Sequence, residues 1–179
     1  MILVYKKIIM KFNTLFLFLI TSITIQAQDS DYISDFKQKW KNAGEYTIEF
    51  AEAMPEELYN YKPTDESRTF KDQLLHMVAN MTWLGGDYLN GGSFDKDLKN
   101  MEYSKAEVIQ ILKDGFAFAG NAVDNLEPHD LRNKVSFFAG PMNIRQILTL
   151  MNDHVTHHRG QVIVYFRLNE MKPPKYRGW

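Results

Sequence analysis

Residues 144–166 read IRQILTLMNDHVTHHRGQVIVYF, and this stretch decides the fold of the chain. Its apolar residues recur every three or four positions, which is the spacing of one face of an α-helix. The apolar stripe consists of Ile144, Ile147, Leu148, Met151, Val155, Val162, Tyr165 and Phe166. Gly140-Pro141 precedes the stretch and Pro173-Pro174 follows it, so the sequence predicts one long amphipathic helix over about residues 143–171.

Three earlier segments show the same periodicity, over about residues 31–54, 69–89 and 104–126. The third has the clearest start, because Ser104 followed three residues later by Glu107 is the pattern of a capping box. Strand signals are weak: residues 135–138 could form a short extended piece, but no partner strand is evident. Four amphipathic helices of about twenty residues or more predict an all-α protein, a four-helix bundle with long connections between the helices.

The composition excludes several classes of protein. The 179 residues include no Cys, which rules out a disulfide framework, a zinc site with Cys ligands and a thiol nucleophile. The 21 Lys and Arg nearly balance the 22 Asp and Glu, and this argues against nucleic-acid binding, which needs a dense basic surface. The length and the 45% of hydrophobic residues fit one globular domain with an ordinary core.

The first 28 residues have the pattern of a secretory signal peptide. Three lysines, Lys6, Lys7 and Lys11, precede an apolar run over residues 15–20, and a polar stretch follows that ends near Ala27. An uncleaved membrane anchor is the alternative, but the run is short of the ~20 apolar residues that a spanning helix needs. We therefore expect cleavage near Ala27 and no stable membrane insertion afterwards.

Cleavage would leave a mildly acidic domain over residues 29–179, in the periplasm or outside the cell. Removing three of the 21 basic residues and no acidic one leaves 18 against 22, a net charge of −4. Met10-Lys11 opens a more typical signal by itself, so Met10 is a second candidate for the start of the chain. A lipid-anchored form is excluded because the junction has no Cys to acylate.

Two histidines of the last helix lie one turn apart. His154 and His158 are four residues apart, so both imidazoles lie on the face that carries Met151 and Val155. Two such rings can bind one divalent ion, as on the helix of zinc proteases, although Val155 stands where that protease motif has Glu. The alternative is a pair of core histidines that each need a buried hydrogen-bond partner. His157 lies about 100° around the helix from His158 and is expected to face away.

A third ligand would have to come from elsewhere, and two histidines remain. His129 lies in a polar loop after Pro128 and is not favoured. His76 lies in the second helix, where helical spacing places it roughly opposite Leu74 and Val78 and so does not put it inside the bundle. Its face also carries Asn80, Trp83 and Asp87. Such a line of residues is either the wall of a site or an exposed face.

Four parts of the sequence together point to a known family. They are Met54-Pro55-Glu56-Glu57-Leu58-Tyr59 with Lys62-Pro63, Phe70 to His76, the run His154-x-x-His157-His158-Arg159-Gly160-Gln161, and Pro173-Pro174. In this order and spacing they resemble the DinB-like (DinB/YfiT) superfamily of metalloenzymes over essentially all of residues 29–179. The resemblance implies a four-helix bundle with a divalent metal ion, zinc or nickel, held by His76, His154 and His158.

The resemblance also implies an activity. Characterised members include thiol-dependent S-transferases and a maleylpyruvate isomerase, so a metal-dependent enzyme with a small-molecule substrate is expected. An exported protein would meet few low-molecular-weight thiols, which makes a hydrolase that uses a metal-activated water a comparable expectation. The alternative is a metal or small-ligand binding protein without turnover, since no Asp or Glu stands at an obvious general-base position. A homodimer is implied by the family, and no nucleic-acid partner is expected.

Spacing suggests residues that would support the site, each with ordinary packing or capping as its alternative: Asn80, Gln161, Tyr165, Trp83 and Tyr88. Asn80 lies one turn after His76 and could orient a ring or a bound water. Gln161 and Tyr165 extend the histidine face of the last helix, whereas Trp83 and Tyr88 could line a pocket. Arg159 and Gly160 are interpreted as structural, with Gly160 allowing a neighbouring helix to approach closely.

Overall fold

The computed structural model of the protein describes residues 2–100 and 102–179, with side chains from residue 28 onward. Its four α-helices are α1 (Ile2–Ala53), α2 (Phe70–Tyr88), α3 (Lys105–Asp124) and α4 (Ile144–Leu168). Short 3-10 helices cover Glu56–Leu58 and Pro128–Arg132 in the connections. The predicted all-α four-helix bundle is confirmed.

Side-chain caps start three of the helices at the residues where the sequence places polar groups. Thr69 accepts a hydrogen bond from the Asp72 amide at the start of α2. The capping box of Ser104 and Glu107 is formed in both directions, as predicted, and α4 begins with a second box that pairs Asn143 with Gln146. Each cap satisfies amide groups that the helix itself leaves unpaired, and typically contributes ~1 kcal/mol.

Each of the four helices packs against two others, because both α1 and α2 contact α3 and α4. At one end Phe50 and Phe70 each meet Phe166 edge-on, with ring centroids 5.4 and 6.1 Å apart. These three rings are fully buried. Burying each such side chain stabilises the fold by roughly 1.5–3 kcal/mol.

The close approach of α2 and α3 depends on one glycine. A Cβ atom built on Gly115 of α3 would lie 2.7 Å from Cγ1 of Val78 in α2. Ordinary carbon contacts are about 3.5–4.0 Å, so any side chain at position 115 would push these helices apart. Gly160, by contrast, has no atom within 4 Å of such a Cβ, so the interpretation of Gly160 as a point of close helix approach is wrong.

A short hairpin lies between α3 and α4, and it corrects the reading of residues 135–138. The strand β1 (Lys134–Val135) pairs in antiparallel register with β2 (Met142–Asn143). The partner was not evident from the sequence because β2 has only two residues and runs directly into α4. Gly140, at φ +112°, turns the chain between the two strands.

The predicted signal peptide, residues 1–28, falls almost wholly outside the part of the chain whose side chains are described. In the described part, no helix combines the length and the apolar character needed to cross a membrane.

Asp29 is buried and accepts hydrogen bonds from Arg132 and Arg145, each at 2.6 Å, which ties α1 to the second 3-10 helix and to α4.

Burial by itself would raise the pKa of Asp29. The hydrogen bonds and charges of Arg132 and Arg145 outweigh that effect, so the pKa of this carboxyl lies below its usual value.

Candidate metal centre

The three histidines of the predicted site converge between α2 and α4. The ring centroid of His76 lies 5.0 Å from that of His154 and 4.7 Å from that of His158. The ring centroids of His154 and His158 are 4.4 Å apart. One ring nitrogen from each residue lies within 4.8 Å of the other two, so this group could hold a metal ion.

The spacing of the nitrogens suits a shared ion. Nε2 of His154 lies 3.2 Å from Nε2 of His158. Two nitrogens on a tetrahedral zinc ion, each ~2.0–2.1 Å from the metal, are separated by about 3.3–3.4 Å. These two nitrogens could therefore share a divalent ion with little movement of the two rings on α4.

Hydrogen bonding determines which nitrogen of His158 faces the cluster. Nδ1 of His158 lies 2.7 Å from Oε1 of Gln73. An amide oxygen can only accept, so Nδ1 carries the proton and the Nε2 lone pair of the neutral ring points toward His154. This is the tautomer that a metal ligand requires.

All three rings are poised to stay neutral. Burial, followed by the neighbouring histidines, lowers the pKa of His154 to about 4, and it does the same for His158. Burial and the charge of Arg68 also lower the pKa of His76, against a smaller opposing effect of Asp72. Neutral imidazoles can bind a cation without first releasing protons.

Two polar atoms near the cluster lack partners. Among the described side chains, Nδ1 of His154 and Oδ1 of Asn80 are buried without a hydrogen bond. Asn80 follows His76 by one turn of α2, the place where the sequence suggested a residue that orients a ring or a water. Buried polar atoms without a partner are costly and therefore rare, so a bound water, ion or ligand is one explanation for these two.

Gln73 is the supporting residue that the sequence reading missed. Its side chain is buried, and its Nε2 donates to Oε1 of Gln161 at 2.7 Å and to the Tyr165 hydroxyl at 3.3 Å. The amide is thereby fixed so that its oxygen faces His158. The available signal was its spacing, because Gln73 precedes His76 by three residues and shares its face of α2.

The other candidates are not part of the three-histidine group, although the ring centroid of His157 lies 4.9 Å from that of His158. His157 is exposed and pairs with Gln161, with 2.8 Å between His157 Nε2 and Gln161 Nε2. His129 is exposed, 3.5 Å from Asp130. Buried Arg159 stacks over the ring of Tyr46 at 5.1 Å, which agrees with the structural role expected for it.

The two aromatic candidates belong to a different cluster. Trp83 and Tyr88 contact each other edge-on, with ring centroids 5.6 Å apart. Both also pack against Phe137, from the loop between the two strands. Neither is among the described residues that line the cavity beside His158.

A cavity of about 460 Å³ opens beside the histidine cluster. Its described lining consists of Pro63, Glu66, Ser67, Arg68, Gln73, His158, Gln161, Val164 and Tyr165. The hydroxyl of Tyr165 donates to the Arg68 carbonyl at 2.5 Å, which holds the loop before α2 against α4. An apolar groove of about 330 Å³ between α1 and α3 includes none of the three histidines. Of the cavities lined by described residues, the first has one of the three histidines, His158, in its wall.

The fold and the site together define a class of protein, a four-helix bundle with a three-histidine group able to hold a metal ion between two of its helices. The chain belongs to the DinB family, whose model matches residues 27–177. A comparison with proteins of curated function found no significant match.

Two solved structures share the fold. A DinB-like protein from Bacillus subtilis is 20% identical, with a TM-score of 0.67 over 79% of this chain and 96% of that one. A DinB-like protein from Bacillus cereus is also 20% identical, with a TM-score of 0.68 over 79% of this chain and 95% of that one.

Proposed function

We propose that the protein is an exported enzyme whose activity depends on a divalent metal ion, zinc or nickel, held by His76, His154 and His158. The observation that supports this most is the convergence of one nitrogen from each ring within 4.8 Å of the others. Three neutral histidines are the ligand set of many catalytic zinc sites, where a further position stays open for water or substrate. Imidazole ligands alone do not select between zinc and nickel.

The bound metal would supply a Lewis acid, able to polarise a substrate oxygen or to lower the pKa of a water. The chain's own groups prepare that chemistry. Gln73 holds His158 in the required tautomer. Oδ1 of Asn80, buried without a partner, is available to accept a hydrogen bond from a polar group in the site. The cavity beside His158 admits a small molecule.

We favour hydrolysis over thiol transfer, because the signal-peptide pattern of residues 1–28 would take the protein to the periplasm or outside the cell, where small thiols are scarce. The substrate would be a small molecule, and a homodimer is proposed from the family resemblance alone. A binding protein without turnover is the second candidate. One observation favours it: of the described residues that line the cavity, Glu66 is the sole carboxylate, and it is exposed.

Metal analysis of histidine variants tests the site. Protein purified from its native compartment should carry one zinc or nickel ion per chain. Single alanine variants of His76, His154 or His158 should lose it, while the matched variant His157→Ala, also on α4, should keep it, as should His129→Ala. Retention of the metal by His158→Ala together with its loss from His157→Ala would show that the ligand assignment is wrong.

A substrate screen then separates the two functions. The metal-loaded protein and its His154→Ala variant are compared on hydrolase substrates and in thiol-transfer assays. Turnover that disappears in the variant supports the enzyme. A stoichiometric metal ion without turnover on any substrate favours the binding protein.

A further inference from the structure

The cavity beside the histidine cluster has one cationic side chain among its described lining residues. Arg68 is the only Lys or Arg among the described residues that line it. Its backbone is held by the hydrogen bond from the Tyr165 hydroxyl, 2.5 Å from the Arg68 carbonyl oxygen. Its guanidinium is held by Asp72, whose carboxylate accepts from Nη1 at 2.9 Å. The ion pair with Asp72 is partly exposed and worth at most about 1 kcal/mol, so a ligand can compete with it for the guanidinium.

Most of the guanidinium donors of Arg68 remain available. Arginine has five N–H groups in a planar fork, which matches the two oxygens of a carboxylate or phosphate. Among the described residues, the bond to Asp72 is the one hydrogen bond that this guanidinium makes. The side chain keeps 44% of its surface exposed, so a molecule in the cavity can reach it.

Arg68 lies in the wall of the cavity that also includes His158. Gln73, which contacts His158, lines the same cavity. A molecule of suitable length in this cavity can therefore contact both the guanidinium and the histidine cluster.

We propose that Arg68 is a substrate-binding residue, which pairs with an anionic group, a carboxylate or a phosphate, on a molecule whose other end reaches the three-histidine group. The inference rests on the proposed metal site. The preference for an anionic ligand comes from short-range hydrogen bonds between its oxygens and the planar guanidinium of Arg68. Long-range attraction is weak, because Glu66 lies on the same wall and Asp72 already offsets part of the charge.

Dianions provide the test. Cobalt(II) replaces the native metal, since its visible absorption changes when a ligand joins the metal. The cobalt protein is titrated with acetate, with malonate, succinate and glutarate, which span different lengths, and with phosphonoacetate. The wild type should bind the best dianion at least about tenfold more tightly than acetate, the lower end of what a charged hydrogen bond provides. Whether a dicarboxylate or phosphonoacetate binds best identifies the anionic group.

Three variants locate the effect. Arg68→Gln should lose the preference for the dianion, about tenfold to a hundredfold, with acetate affinity unchanged. Arg68→Lys should retain part of it, because Lys keeps the charge without the fork. Glu66→Gln removes the opposite charge from the same wall and should keep the preference. Cobalt content and the thermal midpoint of each variant establish that the site and the fold are intact.

The outcomes separate this inference from the function on which it rests. A wild type that binds no cobalt overturns both. If wild type and Arg68→Gln bind cobalt equally and show the same ratio of dianion to acetate affinity, the proposed role of Arg68 is refuted. The proposed metal site is not affected by that result. The absence of any dianion preference in the cobalt-loaded wild type refutes it as well.

Discussion

Replacing Gln73 by Leu should weaken metal binding without removing a ligand. Gln73 is 4% exposed, and its Oε1 accepts the Nδ1 proton of His158 at 2.7 Å. Leu has similar volume and no acceptor, so the His158 donor would be left without a partner whenever Nε2 holds the metal. A buried donor without a partner costs about 1–3 kcal/mol.

The cost falls mainly on the metal-bound state, because the free ring of His158 can change tautomer and the coordinated ring cannot. At 1.4 kcal/mol for each factor of ten, it corresponds to roughly 5- to 150-fold weaker binding. Loss of a residue that orients a metal-bound histidine typically costs about 10–100-fold, which is the same range. Gln73→Glu retains an acceptor and should keep most of the affinity.

The assay is a competition between apoprotein and a chromophoric zinc chelator at pH 7.5. Gln110→Leu is the matched control, because Gln110 is exposed on α3 and pairs only with Asp114 among the described residues. Thermal midpoints of the apoproteins show whether each variant folds. The reasoning would be refuted by a Gln73→Leu variant whose zinc dissociation constant stays within twofold of wild type while His158→Ala has lost the metal.

Three further predictions concern pH, packing and processing. Because burial lowers the pKa of His154 and His158 to about 4, protons should displace the metal only as the pH falls toward that value. Competition titrations from pH 7.5 to 4.5 measure the metal affinity, and a tenfold loss of affinity already at pH 6 would contradict the prediction. Gly115→Ala should lower the free energy of unfolding by about 1–3 kcal/mol through overlap with Val78. Gly160→Ala, in open space on α4, should leave the free energy of unfolding unchanged or raise it by up to ~1 kcal/mol. Urea unfolding of the two variants measures this difference. N-terminal sequencing of the native protein should begin near Gln28 or Asp29, and an intact chain recovered from the cytosol would contradict export.

Local sequence patterns were sufficient for the helices and for two of the three histidines of the candidate site. The apolar stripe of α4 and the capping box of Ser104 and Glu107 depend only on residues three or four apart, so they can be read without knowing what packs where. The pairing of His154 with His158 is local for the same reason. The positions of the helices and this pair were therefore predictable.

Periodicity did not place His76 or Gln73, and the reason is that α2 packs against two helices. A helix that packs on one neighbour has one apolar stripe, and a residue opposite that stripe is expected to face solvent. α2 packs against α3 with one face and against α4 with another, so His76 can lie opposite Leu74 and still meet the histidines of α4. The resemblance to the DinB family, and not the pattern, indicated His76.

The four helices, the histidine pair on α4 and the family can all be recognised from the amino-acid sequence, because each depends on short-range spacing or on the order of motifs. Only the tertiary structure brought His76 to that pair, aimed the Gln73 amide at His158 and placed Arg68 on the wall of the same cavity. These residues are distant from α4 along the chain. Their meeting depends on which faces of α2 and α4 oppose each other, and that is decided by packing between helices, which no single helix encodes.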